Sequence, residues 1–111
     1  QLLQMLLESK LSLDAGDKDM CVMLHVMDYS LHGKAYSLQS SMVAIGQDEV
    51  YTAMAKTVGL PAAIAVKHIL SGTWQHTGVV TPVHSDIYTP VLQELSDTFN
   101  IHFVETLQEF A

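Results

Sequence analysis

The chain has 111 residues, 49% hydrophobic and only 15% charged, with five lysines, no arginine and twelve carboxylates for a net charge of −7. That balance excludes a nucleic-acid-binding module, because phosphate contacts rest mainly on Lys and Arg, and it leaves no bidentate Arg clamp for a carboxylate or nucleotide phosphate. An average globular domain is about 25% charged, and a lone domain this small exposes a large share of its surface, so other protein is expected to cover part of it.

Gln1 to Leu11 reads as a helix already under way, with Leu2, Leu3, Met5, Leu6 and Leu7 and no capping residue ahead of them. The chain is therefore expected to be a piece of a longer polypeptide. Asp14 to Asp19 is a charged, Gly-containing turn. Met20 to Met27 is apolar except for His25, the pattern of a strand buried on both faces. Its Cys21 suits a small buried hydrophobe better than a reactive thiol, and a lone cysteine fits a reducing compartment. Asp28 to Lys34 reads as a connector. Ala35 to Gly46 then alternates, with Tyr36, Leu38, Ser40 and Met42 on one face, and is expected to pair antiparallel with the first strand.

Gln47, Asp48 and Glu49 place acid where a helix dipole favours it, so a long helix is predicted from about Asp48 to Ser71. Lys67 and His68 sit in its last turns, and Gly72 offers the left-handed position after it. Alanines interleaved with Met54, Val58, Ile64, Val66 and Ile69 make it apolar nearly all round, the mark of a buried helix. Gly59-Leu60-Pro61 predicts a kink, or two helices meeting end to end. Thr73 to His84 reads as loop with a brief strand at Val79 and Val80. A shorter amphipathic helix follows Ser85 and Asp86, with Pro90 early and Asn100 as its C-cap, and Ile101 to Glu105 reads as a terminal strand. No apolar run free of polar residues reaches the roughly 18 residues of a membrane span.

Motifs that carry chemistry are sparse. His25, His32, His68, His76, His84 and His102 lack the close His and carboxylate spacing of a helical zinc site, so no metal ligand is assigned. His76 and His84 fall in the loop, where either could line a cleft, but nothing in the sequence pairs them with an acid or base. Gly46, Gly59, Gly72 and Gly78 are isolated, with no Gly-x-Gly-x-x-Gly between strand and helix. No catalytic residue is assigned. Lys56 and Thr57 are the polar exceptions in the apolar helix and the weak candidates for cofactor binding. The sharper reading puts them near a nucleotide or a domain cleft. The simpler one has Lys56 reaching solvent along its stem and Thr57 bonding a preceding carbonyl.

The stretch from Tyr51 to Ala65, and within it Ala53 to Pro61 (AMAKTVGLP), resembles the C-terminal helix of the saccharopine dehydrogenase family. Lys18-Asp19-Met20, Met42 to Gly46, Thr77 to Pro82 and Asp86 to Leu92 resemble the family's closing region in the same order, so the likeness spans roughly Leu6 to Glu105. Asp28 to Lys34, Gly46 to Val50 and Ser71 to His76 depart from its usual pattern. The resemblance implies an α/β fold: residues 1–111 would be the C-terminal part of a mixed-sheet substrate domain plus a long buried helix returning toward a Rossmann domain absent from this chain. It implies a parent enzyme, free-standing or the second half of a bifunctional aminoadipic semialdehyde synthase, that transfers hydride between saccharopine and NAD or NADP in lysine metabolism. In that reading cofactor and substrate are bound mainly outside this segment, which is not competent alone. The partners it allows are the remainder of the parent chain, saccharopine as a small amino-acid substrate and a second copy, with no nucleic acid and no membrane, in the cytoplasm or the mitochondrial matrix. The alternative is a non-catalytic relative using the same fold for binding or assembly.

Overall fold

A computed structural model describes residues 1–110. The elements run α1 (Leu2–Leu11), β1 (Met20–Leu31), β2 (Lys34–Ile45), α2 (Ala53–Leu70), α3 (Ser85–Phe99) and β3 (Val104–Phe110). The strands form one antiparallel sheet in the order β1-β2-β3, and α2 and α3 lie between β2 and β3 in the chain. The α/β class holds, and the part of the sheet present here is antiparallel.

The hairpin is longer and tighter than the sequence suggests. Asp28 to Leu31 are not a connector. They continue β1 and pair with Ser37 to Lys34, leaving only His32 and Gly33 in the loop, both at positive φ (53° and 78°). That is the two-residue hairpin whose turn follows the strands' own twist. Histidine is among the side chains that tolerate this region. Tyr29 stacks on Tyr36 across the pair, with ring centroids 5.4 Å apart, which favours extending the ladder over ending it at Met27.

One face of the sheet carries the core. Met42 and Ala44 of β2 pack with Ala53 and Ile64 of α2, Leu95 of α3 and Ile101, while Cys21, Leu60 and Val91 close the margins. Cys21 lies opposite Ala44 and Met23 opposite Met42, so the odd residues of β1 share that face. The even residues point the other way, where the described residues place no helix. Val22 is 58% exposed, Leu24 62%, Val43 53% and Ile45 61%. β1 is thus apolar on both faces; among the described residues one face is bare and on the other only Cys21 is partly covered.

The long helix starts later than predicted. Asp48 does not enter it: its Oδ1 accepts the Tyr51 and Val50 amides at 2.7 and 2.9 Å, a local turn that competes with helix. Thr52 is the N-cap, accepting the Ala55 amide at 3.0 Å. From Ala53 to Leu70 the helix is one piece, not two, because Leu60 and Ile64 pack into the same core on either side of Pro61. Only Ala53 and Ile64 are buried in it. The helix expected to be covered all round is covered on one side here. Ala55, Val58, Gly59, Ala62 and Val66 face outward, and a Cβ at Gly59 would meet nothing within 4 Å.

At the C-terminal ends of α2 and α3 the structure matches the sequence reading. Gly72 takes φ +72° after α2. Asn100 is left-handed at φ 54°, with the Ile101 amide reaching back to the Leu95 carbonyl at 3.0 Å. Val79 and Val80 form no strand. β3 begins at Val104, not Ile101, because Ile101 is drawn into the core by the cap.

The dimensions say what the core cannot cover. The radius of gyration is 18.3 Å, against about 13 Å for a compact domain of 100 residues. The accessible surface is 8642 Å², which exceeds the roughly 6,100 Å² of a folded monomer of 12.2 kDa by about 2,500 Å². No residue of α1 is buried.

Candidate functional site

The best-defined polar arrangement is the junction between β1, the end of β2 and the start of α2. The Asp19 carboxylate, just ahead of β1, accepts the Ala53 amide at 2.5 Å and the Met54 amide at 3.0 Å. It supplies the negative charge that a helix N-terminus favours. The bond from Met54 and then that from Ala53 hold its pKa below the ordinary carboxylate value, with Lys56 adding a smaller electrostatic contribution. Asp48 is lowered likewise, by the Tyr51 and Val50 amides. The Gly46 amide donates to the Asp19 carbonyl at 2.9 Å. A Cβ on Gly46 would collide with Asp19 Oδ1 and lie 3.0 Å from the Ala53 nitrogen, so this close approach needs glycine. Ala53, fully buried, completes the joint.

Lys56 and Thr57 lie one turn into the helix, both half-buried. Lys56 lines a cleft of about 230 Å³ with Val43, Ala44, Ile45, Phe99, Asn100 and Ile101. Thr57 Oγ1 donates to the Met54 carbonyl at 3.3 Å, the local bond of the simpler reading. The two side chains therefore do not converge on one polar pocket.

A second cluster joins the ends of α2 and α3. Pro90 has no N–H to give to the carbonyl of Asp86, four residues earlier. The Trp74 indole supplies that donor at 3.0 Å. His68 stacks on Trp74 at 4.8 Å, and His76 Nε2 lies 2.9 Å from Asp86 Oδ2. His76 thus has the acidic partner that sequence reasoning did not find, ten residues on. The one signal available was Pro90, which frees a carbonyl that something must satisfy. No group of three His, Cys, Asp or Glu among the described residues is placed to hold a metal.

By length and composition α2 could cross a membrane. Its Lys67, however, meets Glu94 of α3 at 2.6 Å, and its Ile64 is in the protein core. The glycines do not come together as the phosphate cradle of a dinucleotide fold. The positive-φ glycines 16, 33, 72 and 78 sit in four separate turns, and the helix N-terminus that follows Gly46 already holds the Asp19 carboxylate where a phosphate would have to lie.

Comparison with known proteins places the chain. Residues 1–101 match the family model described as the saccharopine dehydrogenase C-terminal domain. The chain is 36% identical to saccharopine dehydrogenase [NADP(+), L-glutamate-forming] of Pyricularia oryzae, over 89% of this chain and 23% of that protein. It is 37% identical to the mitochondrial alpha-aminoadipic semialdehyde synthase of Bos taurus, over 78% of this chain and 9% of that protein. Apo saccharopine dehydrogenase (L-Glu forming) from Saccharomyces cerevisiae superposes with a TM-score of 0.84 at 32% identity, covering 96% of this chain and 24% of that one. The chain spans less than a quarter of these relatives, and on this fold and these matches it belongs to the saccharopine dehydrogenase family.

Proposed function

We propose that these residues are the C-terminal domain of an oxidoreductase of lysine metabolism that converts saccharopine to glutamate and aminoadipate semialdehyde, or the reverse. The observation that carries this is the superposition on the yeast saccharopine dehydrogenase over 96% of the chain. The nicotinamide cofactor, named as NADP for the fungal relatives, takes up or gives the hydride and is held by parts of the enzyme outside these residues. What this chain contributes is placement. Asp19, Gly46 and Ala53 lock the sheet to α2, and α2 presents its bare Ala55–Gly59–Ala62 face to the rest of the enzyme, where small side chains admit close backbone approach. Cytoplasm or mitochondrial matrix is the compartment consistent with the relatives, one of which is named mitochondrial.

The test is a steady-state assay of the full-length parent with saccharopine and NADP or NAD, following cofactor reduction and glutamate release. Reduction with stoichiometric glutamate is the expected result, and the 111-residue chain alone should give none. A folded parent that neither binds a nicotinamide cofactor nor releases glutamate would establish the non-catalytic alternative instead.

A further inference from the structure

Of the five lysines, only Lys56 is not exposed. Lys34 and Lys67 pair with Glu109 and Glu94 at 2.6 Å, and Lys10 and Lys18 stand at the surface. Lys56 instead lines the cleft where the end of β2, the first turns of α2 and the end of α3 meet. The other walls are Val43, Ala44, Ile45, Phe99 and Ile101, all apolar, and Asn100. A cation drawn part of the way out of water is ordinarily paired. Among the described residues Lys56 has neither an ion pair nor a side-chain hydrogen bond. Asp19 and Asp48 lie within its electrostatic reach. The oxygens of Asp19, however, already take the Ala53 and Met54 amides, and Asp48 takes those of Val50 and Tyr51. Asn100, set at the cleft by its left-handed cap conformation, likewise has no partner for its side-chain amide among the described residues.

We propose that this cleft binds the carboxylate end of a small aliphatic acid. The carboxylate pairs with Lys56 Nζ and accepts a hydrogen bond from the Asn100 amide, and the methylenes lie against Val43, Ile45 and Ile101. An apolar hollow with a few convergent polar groups is the usual build of a ligand site. The sign of the ligand follows from the lining, which holds one cation and no carboxylate. Its size follows from the volume of about 230 Å³, below the roughly 300–1,000 Å³ of sites for drug-sized ligands. A lysine is a point charge without the fork of arginine, which suits one carboxylate better than the joined phosphates of a dinucleotide. The site goes beyond the functional reading above and does not depend on it.

Butyrate is the probe, and the full-length parent is the protein. Lys56 is acetylated with a neutral succinimidyl ester at constant ionic strength, and its rate is followed by peptide mass spectrometry. Butyrate at about ten times its Kd should slow that rate about tenfold, and butanol and butylamine should not slow it. No protection by butyrate overturns the proposal. Equal protection by butanol also overturns it, because the hollow would then take the tail without the charge. So does a Lys56 that fails to react before butyrate is added, which would show the cleft filled by the parent's own side chains. Saturation-transfer NMR of butyrate on variants gives an independent reading. Lys56→Arg should keep binding and Lys56→Met should lose it. Asn100→Gly, which preserves the left-handed cap, should weaken it severalfold. Binding retained by Lys56→Met overturns the proposal. Saccharopine turnover is scored separately: an active parent without protection fails only the carboxylate site, and an inactive one with protection fails only the functional reading.

Discussion

Asp19 and Ala53, 34 residues apart, meet at 2.5 Å, and the carboxylate of the first caps the helix that the second begins. Removing that charge acceptor leaves the Ala53 and Met54 amides short of a partner at a joint where Ala53 is fully buried. Asp19→Asn keeps one oxygen and loses the charge, so it should lower the melting temperature of the parent, and Asp19→Ala should lower it further.

The same carboxylate gives a pH dependence of defined sign. Its folded pKa lies below the 3.8 of an unstructured aspartate, so the unfolded state takes up its proton first as pH falls. The stabilisation it provides is complete above that value and disappears as pH drops through the folded pKa. Asp48 titrates in the same direction. Acid melts of wild type and Asp19→Asn should differ at neutral pH and converge once the pH falls through the lowered folded pKa. A gap that stays constant to the lowest pH would refute the assignment.

Gly46 should resist even the smallest side chain. Gly46→Ala drives a methyl into Asp19 Oδ1 and against the Ala53 nitrogen, and the overpacking is expected to cost about 1–3 kcal/mol. Thermal melts of the parent measure it, and combining Gly46→Ala with Asp19→Asn should cost less than the sum because the two changes disrupt one joint.

Lys56 and Thr57 are expected to separate. Thr57→Ala removes only a bond within one helical turn and should shift stability by about 0.5 kcal/mol or less, with the parent's KM for the cofactor unchanged. Lys56→Met keeps an aliphatic side chain in the cleft that Ile45 and Ile101 also line, and it too should leave that KM unchanged. A tenfold or greater rise in that KM for either variant would support the nucleotide-contact reading instead.

The pattern of agreement between sequence and structure follows the range of the forces involved. The C-terminal helix ends are legible because their determinants are local: Gly72 takes the left-handed conformation expected of it and Asn100 is the expected C-cap. The full length of the hairpin is not legible because Asp28, Tyr29 and Ser30 look like turn residues one at a time, while cross-strand pairing with Ser37, Tyr36 and Ala35 decides their state. The start of α2 is hidden for a similar reason. Asp48 and Glu49 suit a first helical turn, but the acid that serves the dipole comes from Asp19, and spacing along the chain cannot show that. The His76–Asp86 pair was hidden in the same way, inside a loop whose course is set by Trp74 reaching for a carbonyl that Pro90 leaves free.

The outward face of α2 offers the sharpest separation between this chain and its parent. Ala55 and Ala62 are exposed here, so Ala55→Leu and Ala62→Leu should leave the 111-residue chain within about 0.5 kcal/mol of its starting stability. In the parent the same side chains would be forced between packed backbones, and each substitution should cost on the order of 1–3 kcal/mol. Differential melting of the two forms decides the point. If both variants of the parent melt like wild type, α2 is a surface helix, and the 2,500 Å² or so of surplus surface must be covered through the sheet face alone. If only one is affected, the contact is confined to that turn of the helix, above or below Gly59.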